Sequence, residues 1–151
     1  MIAIVQRVKS GRVTVEQKVT GEVGTGMVVL AAIHADDTPS DIAWMASKLA
    51  TLRIFPSGDK YFDLDVKAIA GGILLISNFT VAAETHSGRR PSLSPAASPE
   101  AARPLFECLL KALQAQGVTV ATGVFGAHMN VEINNDGPVT FILDSRQGRK
   151  A

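Results

Sequence analysis

Two short polar segments, far apart in the chain, hold the residues whose types and spacing could do chemistry. The first is Ser77-Asn78-Phe79-Thr80, which directly follows the apolar run 72–76. Its hydroxyls and backbone N–H groups are therefore expected where a buried strand ends. Such groups can hold a carbonyl, place a water molecule and stabilise the oxyanion that develops during ester cleavage. The segment predicts a site for acyl-group hydrolysis built from backbone and small polar groups.

The second segment, Asn135-Asp136-Gly137-Pro138, stands directly before an apolar strand pattern at 139–143. Proline cannot donate a backbone hydrogen bond and glycine has no Cβ, so a Gly-Pro step exposes carbonyl groups rather than side chains. A lone Gly-Pro dipeptide usually marks only a turn. Taken together with the first segment, it indicates recognition by backbone carbonyls.

Metal and cofactor sites lack their usual residues. The three histidines, His34, His86 and His128, are widely separated, and Cys108 is the single cysteine. This composition argues against a zinc site. The sequence also has no glycine-rich phosphate loop with its lysine, which argues against nucleotide hydrolysis. We therefore expect no metal and no cofactor.

A side-chain nucleophile remains open at two positions. A triad of Ser77, His86 and an aspartate can be imagined, but the sequence has no nucleophile elbow and triads are defined by geometry. Thr80 could attack directly, although its hydroxyl is a weak nucleophile without a neighbouring base. Alternatively, both hydroxyls bond the local backbone and Phe79 packs in the core. For Thr80 we favour a hydrogen-bonding or structural role.

Apolar periodicity predicts two helices among several strands, which indicates an α+β domain with largely antiparallel sheets. The helices are expected to begin at Thr38-Pro39 and Ser98-Pro99, because a capping residue followed by proline starts helices. Their apolar stripes are Ile42, Met45, Ala46, Leu49 and Leu52 in the first, and Ala102, Leu105, Phe106, Leu109 and Leu113 in the second. Strand patterns occupy 3–8, 13–16, 19–23, 27–33, 72–76, 118–121, 129–133 and 139–143.

Composition limits the class of protein. Hydrophobic residues make up 46% and charged residues 19% of the 151 residues, which excludes a disordered chain and suits one domain spanning 1–151, with 144–151 as a flexible tail. The apolar runs are too short to span a membrane. No secretory signal follows Met1, and Cys108 has no intramolecular partner, so we expect a buried thiol and a cytoplasmic location. A net charge of +1 argues against gripping DNA or long RNA by charge alone.

The two segments also carry a family resemblance. Ser77-Asn78-Phe79-Thr80-Val81 and 134–140, together with the opening 1–8 and Arg89-Arg90-Pro91-Ser92, resemble the bacterial and eukaryotic D-aminoacyl-tRNA deacylases from Met1 to about Leu143. The resemblance implies two stacked sheets with both helices on one outer face. It also implies hydrolysis of the ester bond of D-aminoacyl-tRNA, and of glycyl-tRNA mischarged on alanine tRNA. The implied partners are the 3′-terminal adenosine end of aminoacyl-tRNA and a second copy of the chain.

The resemblance further implies roles for individual residues. Gly137-Pro138 would be a cis step that enters the active site of a second subunit and excludes L-residues by sterics. Arg7 would brace this step across the dimer interface, unless it is an ordinary edge-strand charge. Met129 would pack beneath the motif, unless it only fills the core. The family's favoured mechanism lets the 2′-hydroxyl of the terminal ribose help to activate water.

An irregular loop at 82–97 leaves directly from the first segment and carries His86, Arg89 and Arg90, which we expect near an RNA phosphate. The chain departs from the family at Asn78, where glutamine is usual, and at Val81, where leucine is usual. Asparagine keeps the amide but has a shorter reach. Two other functions remain open: another hydrolase of small esters or amides, and a noncatalytic module that binds the tRNA 3′ end.

Overall fold

The computed structural model describes residues 1–148. Within them the α+β class is confirmed, and both helices begin at their expected prolines. The helices are α1 (Pro39–Thr51) and α2 (Pro99–Ala115). The strands are β1 (Ile2–Val15), β2 (Lys18–Val23), β3 (Gly26–Ala32), β4 (Phe55–Ser57), β5 (Lys60–Leu64), β6 (Gly72–Ser77), β7 (Thr119–Thr122) and β8 (Asn130–Asp144). Two 3₁₀ helices cover Phe79–Ala82 and Ser145–Gly148.

Within the described residues the main sheet has six strands and is mixed, and β4 and β5 form a separate two-stranded sheet. The expected pair of stacked, largely antiparallel sheets is not confirmed. The order in the main sheet is β2-β1-β3-β6-β7, with β8 paired to β1, and β3–β6 and β6–β7 are parallel pairs. The long β1 pairs with β3 through residues 2–8, with β2 through 11–15, and with β8 along its other edge. The sheet consequently curls, which brings β2 close to β7 and nearly closes the sheet into a barrel. The two strands are so close that a Cβ added at Gly21 would collide with the carbonyl oxygen of Thr122.

Both helices pack on the same outer face, as expected. Helix α1 lies in the connection from β3 to β6, and α2 lies in the connection from β6 to β7, both between adjacent parallel strands. Such crossovers are nearly always right-handed, and two of them that run in the same direction along a sheet place their helices on the same face of it. One buried cluster joins the predicted stripes of α1 and α2 to alternate residues of β1, β3 and β6. A smaller cluster fills the inner side of the curled sheet, with Val8, Val13, Val28, Leu74 and Ile76 buried.

One element was not predicted, and two expectations need correction. The hairpin β4–β5 was not predicted. Its sequence signal is the turn Ser57-Gly58-Asp59 with aromatic residues, which favour strands, on both sides. Cys108 is exposed rather than buried, because its neighbour Leu109 takes the inward position on α2. The segment expected as a tail keeps regular structure to Gly148, and Ser145 is buried; residues 149–151 of that expectation lie outside the described residues.

Ser145 belongs to a buried polar cluster that ties the chain's ends to α1. The N-terminal ammonium group of Met1 donates to Asp37 and, over 2.7 Å, to Ser145 Oγ, which itself donates to Asp41 Oδ1 over 2.8 Å. Asp37 also accepts from the backbone N–H of His34 at 2.7 Å. The His34 side chain is buried beside this cluster.

We expect acid to destabilise the protein through His34. Burial lowers the pKa of its imidazole, and the N-terminal ammonium and Arg146 lower it further, against the opposing effect of Asp37 and Asp144. The unfolded chain then takes up a proton that the folded one does not, so stability falls as pH drops below about 6.5. The free energy of unfolding can be measured in urea at pH 7.5 and at pH 5. Between these two pH values it should fall less for His34→Gln than for the parent protein. Equal losses would contradict this.

Candidate active site

A cavity of about 380 Å³ opens where β3 and β6 end. Its wall combines the ends of these strands with the segment after residue 92, the start of α2 and the turn before β8. The lining residues among those described are mostly apolar, and none of them is ionisable: Ala31, Ala32, Ile33, Ser77, Asn78, Phe79, Leu93, Ala96, Ala97, Pro99, Ala102, Phe106, Phe125, Gly126, Ala127 and Met129. The cavity therefore suits an apolar ring with polar groups at its rim.

The predicted segment 77–80 lies at this rim, as three of its four residues line the cavity. Ser77 ends β6 opposite Ala31 of β3, and the chain then turns into the 3₁₀ helix Phe79–Ala82. Asn78 caps that helix, since its Oδ1 accepts from the Thr80 N–H at 3.2 Å and also from the Thr80 hydroxyl. Asparagine is a preferred capping residue because its short side chain can reach back to the backbone. The departure from the family's glutamine thus has a local structural role.

Backbone hydrogen bonds decide which amide at the rim is available to a ligand. The Asn78 N–H donates to Ala31 O at 2.8 Å, and the Val81 N–H donates to Asn78 O at 3.2 Å. The Thr80 N–H is taken by the Asn78 side chain. Among the described residues, no partner is recorded for the N–H of Phe79. Of the three amides 78–80, only the one at Phe79 thus lacks a hydrogen-bond partner within the described residues.

We expect Thr80→Ala to keep most of the catalytic activity. The Thr80 hydroxyl donates to Asn78, and Thr80 does not line the cavity. No base among the described residues bonds this hydroxyl, so it lacks the activation that a nucleophile needs. The single-turnover rate of ester hydrolysis should remain within about tenfold of the parent rate. A loss beyond the ~10²–10³-fold typical of one oxyanion donor would indicate an essential hydroxyl.

The Gly137-Pro138 step interrupts β8 where it pairs with β1. The peptide bond is cis, in agreement with the resemblance, and Gly137 has φ +125°. Asn135 bridges the irregularity, because its Nδ2 donates to Arg7 O at 2.9 Å and to Val139 O at 3.0 Å. Both residues of the step are exposed. The step therefore projects from the sheet on a well-braced base.

Arg7 supports this base from within its own chain. The side chain is buried, and β1 is paired on both edges, so an edge-strand charge is excluded. Its Nη1 donates to Ile54 O at 2.8 Å and Nη2 to Tyr61 Oη at 3.0 Å, while Nε lies 3.2 Å from Asp136 Oδ2. Asp136 directly precedes the Gly-Pro step. Arg7 thus fixes the step through Asp136 and Tyr61, and these two residues carried no sequence-based role.

The structure separates the Gly-Pro step from the cavity of the same chain. Neither Gly137 nor Pro138 lines the cavity, whereas Met129 does. Met129 lies eight residues before Gly137 along nearly continuous strand, or about 26 Å at 3.3 Å per residue. It packs against the inner cluster of the curled sheet instead. Within one chain, Met129 does not lie beneath the motif.

The basic loop residues do not line the cavity. His86, Arg89 and Arg90 are exposed in a loop tip closed by the paired backbone of Glu84 and Ser92. No hydrogen bond between Ser77 and His86 is recorded among residues 1–148, so nothing assembles the imagined triad. Among the cavity residues without a sequence-based role in the site, the largest side chains are Leu93, Phe106 and Phe125, which come from three separate parts of the chain.

Comparison with known proteins identifies the family. The family model described as D-Tyr-tRNA(Tyr) deacylase matches residues 4–144, and thus includes both polar segments. The chain belongs to this family. Two relatives are similar to this chain over nearly their whole length. A protein named D-aminoacyl-tRNA deacylase from Carboxydothermus hydrogenoformans is 49% identical, over 95% of this chain and 99% of the relative. One of the same name from Desulforamulus reducens is 46% identical, over 98% and 99%.

Solved structures share the fold. One described as c-Myc DNA Unwinding Element Binding Protein has a TM-score of 0.89 and 32% identity, covering 95% of this chain and 98% of that one. Another, described as a probable eukaryotic D-amino acid tRNA deacylase, has a TM-score of 0.82 and 16% identity, covering 94% and 97%. Further, no helix within residues 1–148 is long and apolar enough to cross a membrane. In the same residues, no three His, Cys, Asp or Glu side chains are grouped so as to hold a metal ion.

Proposed function

We propose that this member of the deacylase family hydrolyses the ester bond of D-aminoacyl-tRNA and releases a free D-amino acid and tRNA. The observation that carries the proposal is the rim of the cavity, where Phe79 offers a backbone N–H beside an apolar chamber without ionisable lining residues. An aminoacyl-tRNA is an activated ester, so its cleavage mainly needs a placed water and a stabilised oxyanion. The terminal adenosine enters the chamber, and the ester carbonyl lies at the rim.

The reaction relies on backbone and on the substrate itself. The Phe79 N–H donates to the developing oxyanion, Asn78 holds the rim in shape, and Ser77 offers a hydroxyl at the strand end. The 2′-hydroxyl of the terminal ribose assists the attacking water, because the described lining residues include no general base. The substrate is made where translation occurs, which places the activity in the cytoplasm.

Chiral selection comes from a second copy of the chain. The exposed Gly137-Pro138 carbonyls of one subunit enter the cavity of its partner and occupy the space that an L side chain would need. The separation of this step from its own cavity supports the proposal. Exposed apolar groups lie near both features: Tyr61 is 53% and Phe62 47% exposed beside the step, and Phe79 is 58% exposed at the rim. A two-fold dimer would bury both surfaces at once.

Rejection by carbonyls needs no pocket that recognises a particular D side chain. D-residues of different size therefore fit, and so does glycine, which has no side chain to clash. Glycyl-tRNA, including glycine mischarged on alanine tRNA, is accordingly a proposed substrate. The exposed side chains of His86, Arg89 and Arg90 would meet tRNA outside the cavity, whereas DNA is not a proposed ligand, because the net charge is only +1.

A three-substrate assay tests the function. D-tyrosyl-tRNA should be hydrolysed and L-tyrosyl-tRNA spared, while D-tyrosine ethyl ester, which lacks adenosine, should react poorly. Rapid turnover of the ethyl ester would instead indicate a general hydrolase of small esters. Binding of tRNA without any hydrolysis would indicate a noncatalytic module.

A further inference from the structure

Arg103 lies at the edge of the cavity through its contact with Phe125. Its guanidinium carbon is 4.6 Å from the centre of the Phe125 ring. Phe125 in turn lies 5.7 Å from Phe106, centroid to centroid, and both aromatic residues line the cavity. An arginine over an aromatic face gains a cation–π interaction and keeps its planar N–H groups free for a ligand. The aromatic wall thus holds a cation beside the chamber.

Arg103 has carboxylates within helical reach but pairs with neither. Glu100 and Glu107 stand three residues before and four residues after it on α2, the spacings at which helix ion pairs form. No ion pair within 4.0 Å is recorded for Arg103 among residues 1–148, whereas Arg7, Arg12 and Arg146 each have a carboxylate partner there. Arg103 is also exposed. Its charge is available to an incoming anion.

We propose that Arg103 binds a phosphodiester group at the 3′ end of the tRNA. This rests on the proposed function, in which the terminal adenosine enters the chamber. The phosphate that joins this adenosine to the preceding nucleotide is then the nearest negative charge, just outside the aromatic wall. A guanidinium can donate two parallel N–H groups to such a phosphate. The start of α2 at Pro99 lies in the same wall, and the dipole of this 17-residue helix adds to the favourable field.

The proposal distinguishes Arg103 from the basic loop. Arg89 and Arg90 are exposed at the loop tip and neither lines the cavity nor contacts a lining ring in the recorded interactions. They can contribute to general attraction of RNA. Arg103 is held at a fixed place relative to the adenosine, so it acts as a positioning residue that sets how deeply the 3′ end is seated.

The test compares substrates with and without phosphate. For Arg103→Ala, kcat/KM on D-tyrosyl-tRNA should fall about tenfold, as expected for one lost charged hydrogen bond, mainly through KM. The salt dependence of log(kcat/KM) should lose about one unit of slope. Hydrolysis of D-tyrosyl-adenosine, which has no phosphate, should be unchanged. Arg103→Lys should restore part of the loss. Lys111→Ala is the matched control, because Lys111 is exposed on the same helix about 12 Å further along.

Two results would overturn the proposal: no change with tRNA, or an equal loss with both substrates, which would mean that Arg103 only shapes the cavity wall. Failure of the proposed function gives a different result, because the parent protein would then hydrolyse neither substrate. In that case, binding still tests the phosphate contact. Fluorescence anisotropy would measure the affinity of each variant for a labelled CCA trinucleotide, which contains phosphodiesters, and competition would measure its affinity for adenosine, which contains none. The phosphate contact is supported if Arg103→Ala binds the trinucleotide more weakly than Lys111→Ala does, with unchanged binding of adenosine. It is refuted if the two variants bind the trinucleotide equally well.

Discussion

Gly137→Ala is expected to lower hydrolysis of every D-aminoacyl-tRNA by about 10²-fold, the cost of a small displacement in a positioned active site. At φ +125° an L side chain is strained, and a Cβ at this position would lie 2.7 Å from Val139 Cγ2 and 3.0 Å from Tyr61 Oη. The substitution must therefore displace the Gly-Pro carbonyls. Gly24→Ala is the matched control, since its added Cβ meets nothing within 4 Å.

Thermal unfolding separates misplacement from general loss of fold. Gly137→Ala should remain folded with a lower melting temperature, because strain at one residue costs about 1–3 kcal/mol. If Gly137→Ala and Gly24→Ala proved equally active, the carbonyls of the step would have no part in the site.

Subunit mixing shows whose cavity the step serves. A chain with Gly137→Ala has an intact cavity, and a chain with Ala127→Phe has a filled cavity but an intact step. Co-expression of the two should recover about one quarter of the parent activity, because half of the two-fold dimers are mixed and each mixed dimer has one intact site. Continued inactivity of the mixture, or a monomer at micromolar concentration in analytical ultracentrifugation, would contradict the shared site.

Removing the 2′-hydroxyl of the terminal adenosine should also have a large effect. The described cavity lining contains no histidine, lysine or carboxylate, and we propose that the substrate supplies the group that helps to activate water. With tRNA ending in 2′-deoxyadenosine, we expect the enzymatic acceleration to fall at least about 10²-fold, the usual contribution of acid–base assistance.

The deoxy substrate needs its own reference, because its ester is also less reactive in solution. Enzymatic rates should therefore be divided by the spontaneous hydrolysis rate of the same ester, and competition assays should check that it still binds. Full enzymatic acceleration on the deoxy substrate would show that the 2′-hydroxyl does not take part in catalysis.

Local patterns in the sequence predicted the local structure well. The α1 and α2 stripes are buried as expected because a helix with an apolar face has one way to bury it against a sheet. The caps at Thr38 and Ser98 are likewise local: Asp41 accepts from Thr38, and Ser98 accepts from the N–H of Ala101. The end of β6 at Ser77 follows from its apolar run.

Long-range features were not predictable from these patterns. Residues 2–15 read as separate short strands, whereas β1 runs unbroken and bends the sheet by changing partners along its length. The cavity wall brings together Leu93, Phe106 and Phe125, which no spacing in the sequence links. The role of Asn78 as a cap could have been found from residue type alone, since asparagine favours this position and glutamine does not.

We propose that the chain rejects L-residues by backbone sterics instead of recognising a D side chain, and a panel of four esters tests this chirality rule. Hydrolysis should be measured for D-tyrosine, D-aspartate, glycine and L-alanine, each esterified to tRNA. We expect comparable cleavage of the first three, despite their different size and charge, and sparing of the L-alanine ester. Clash with fixed carbonyls can exclude more strongly than the ~1–3 kcal/mol that a pocket gains from one methylene. Cleavage of L-alanyl-tRNA at a rate similar to the D esters would contradict the claim.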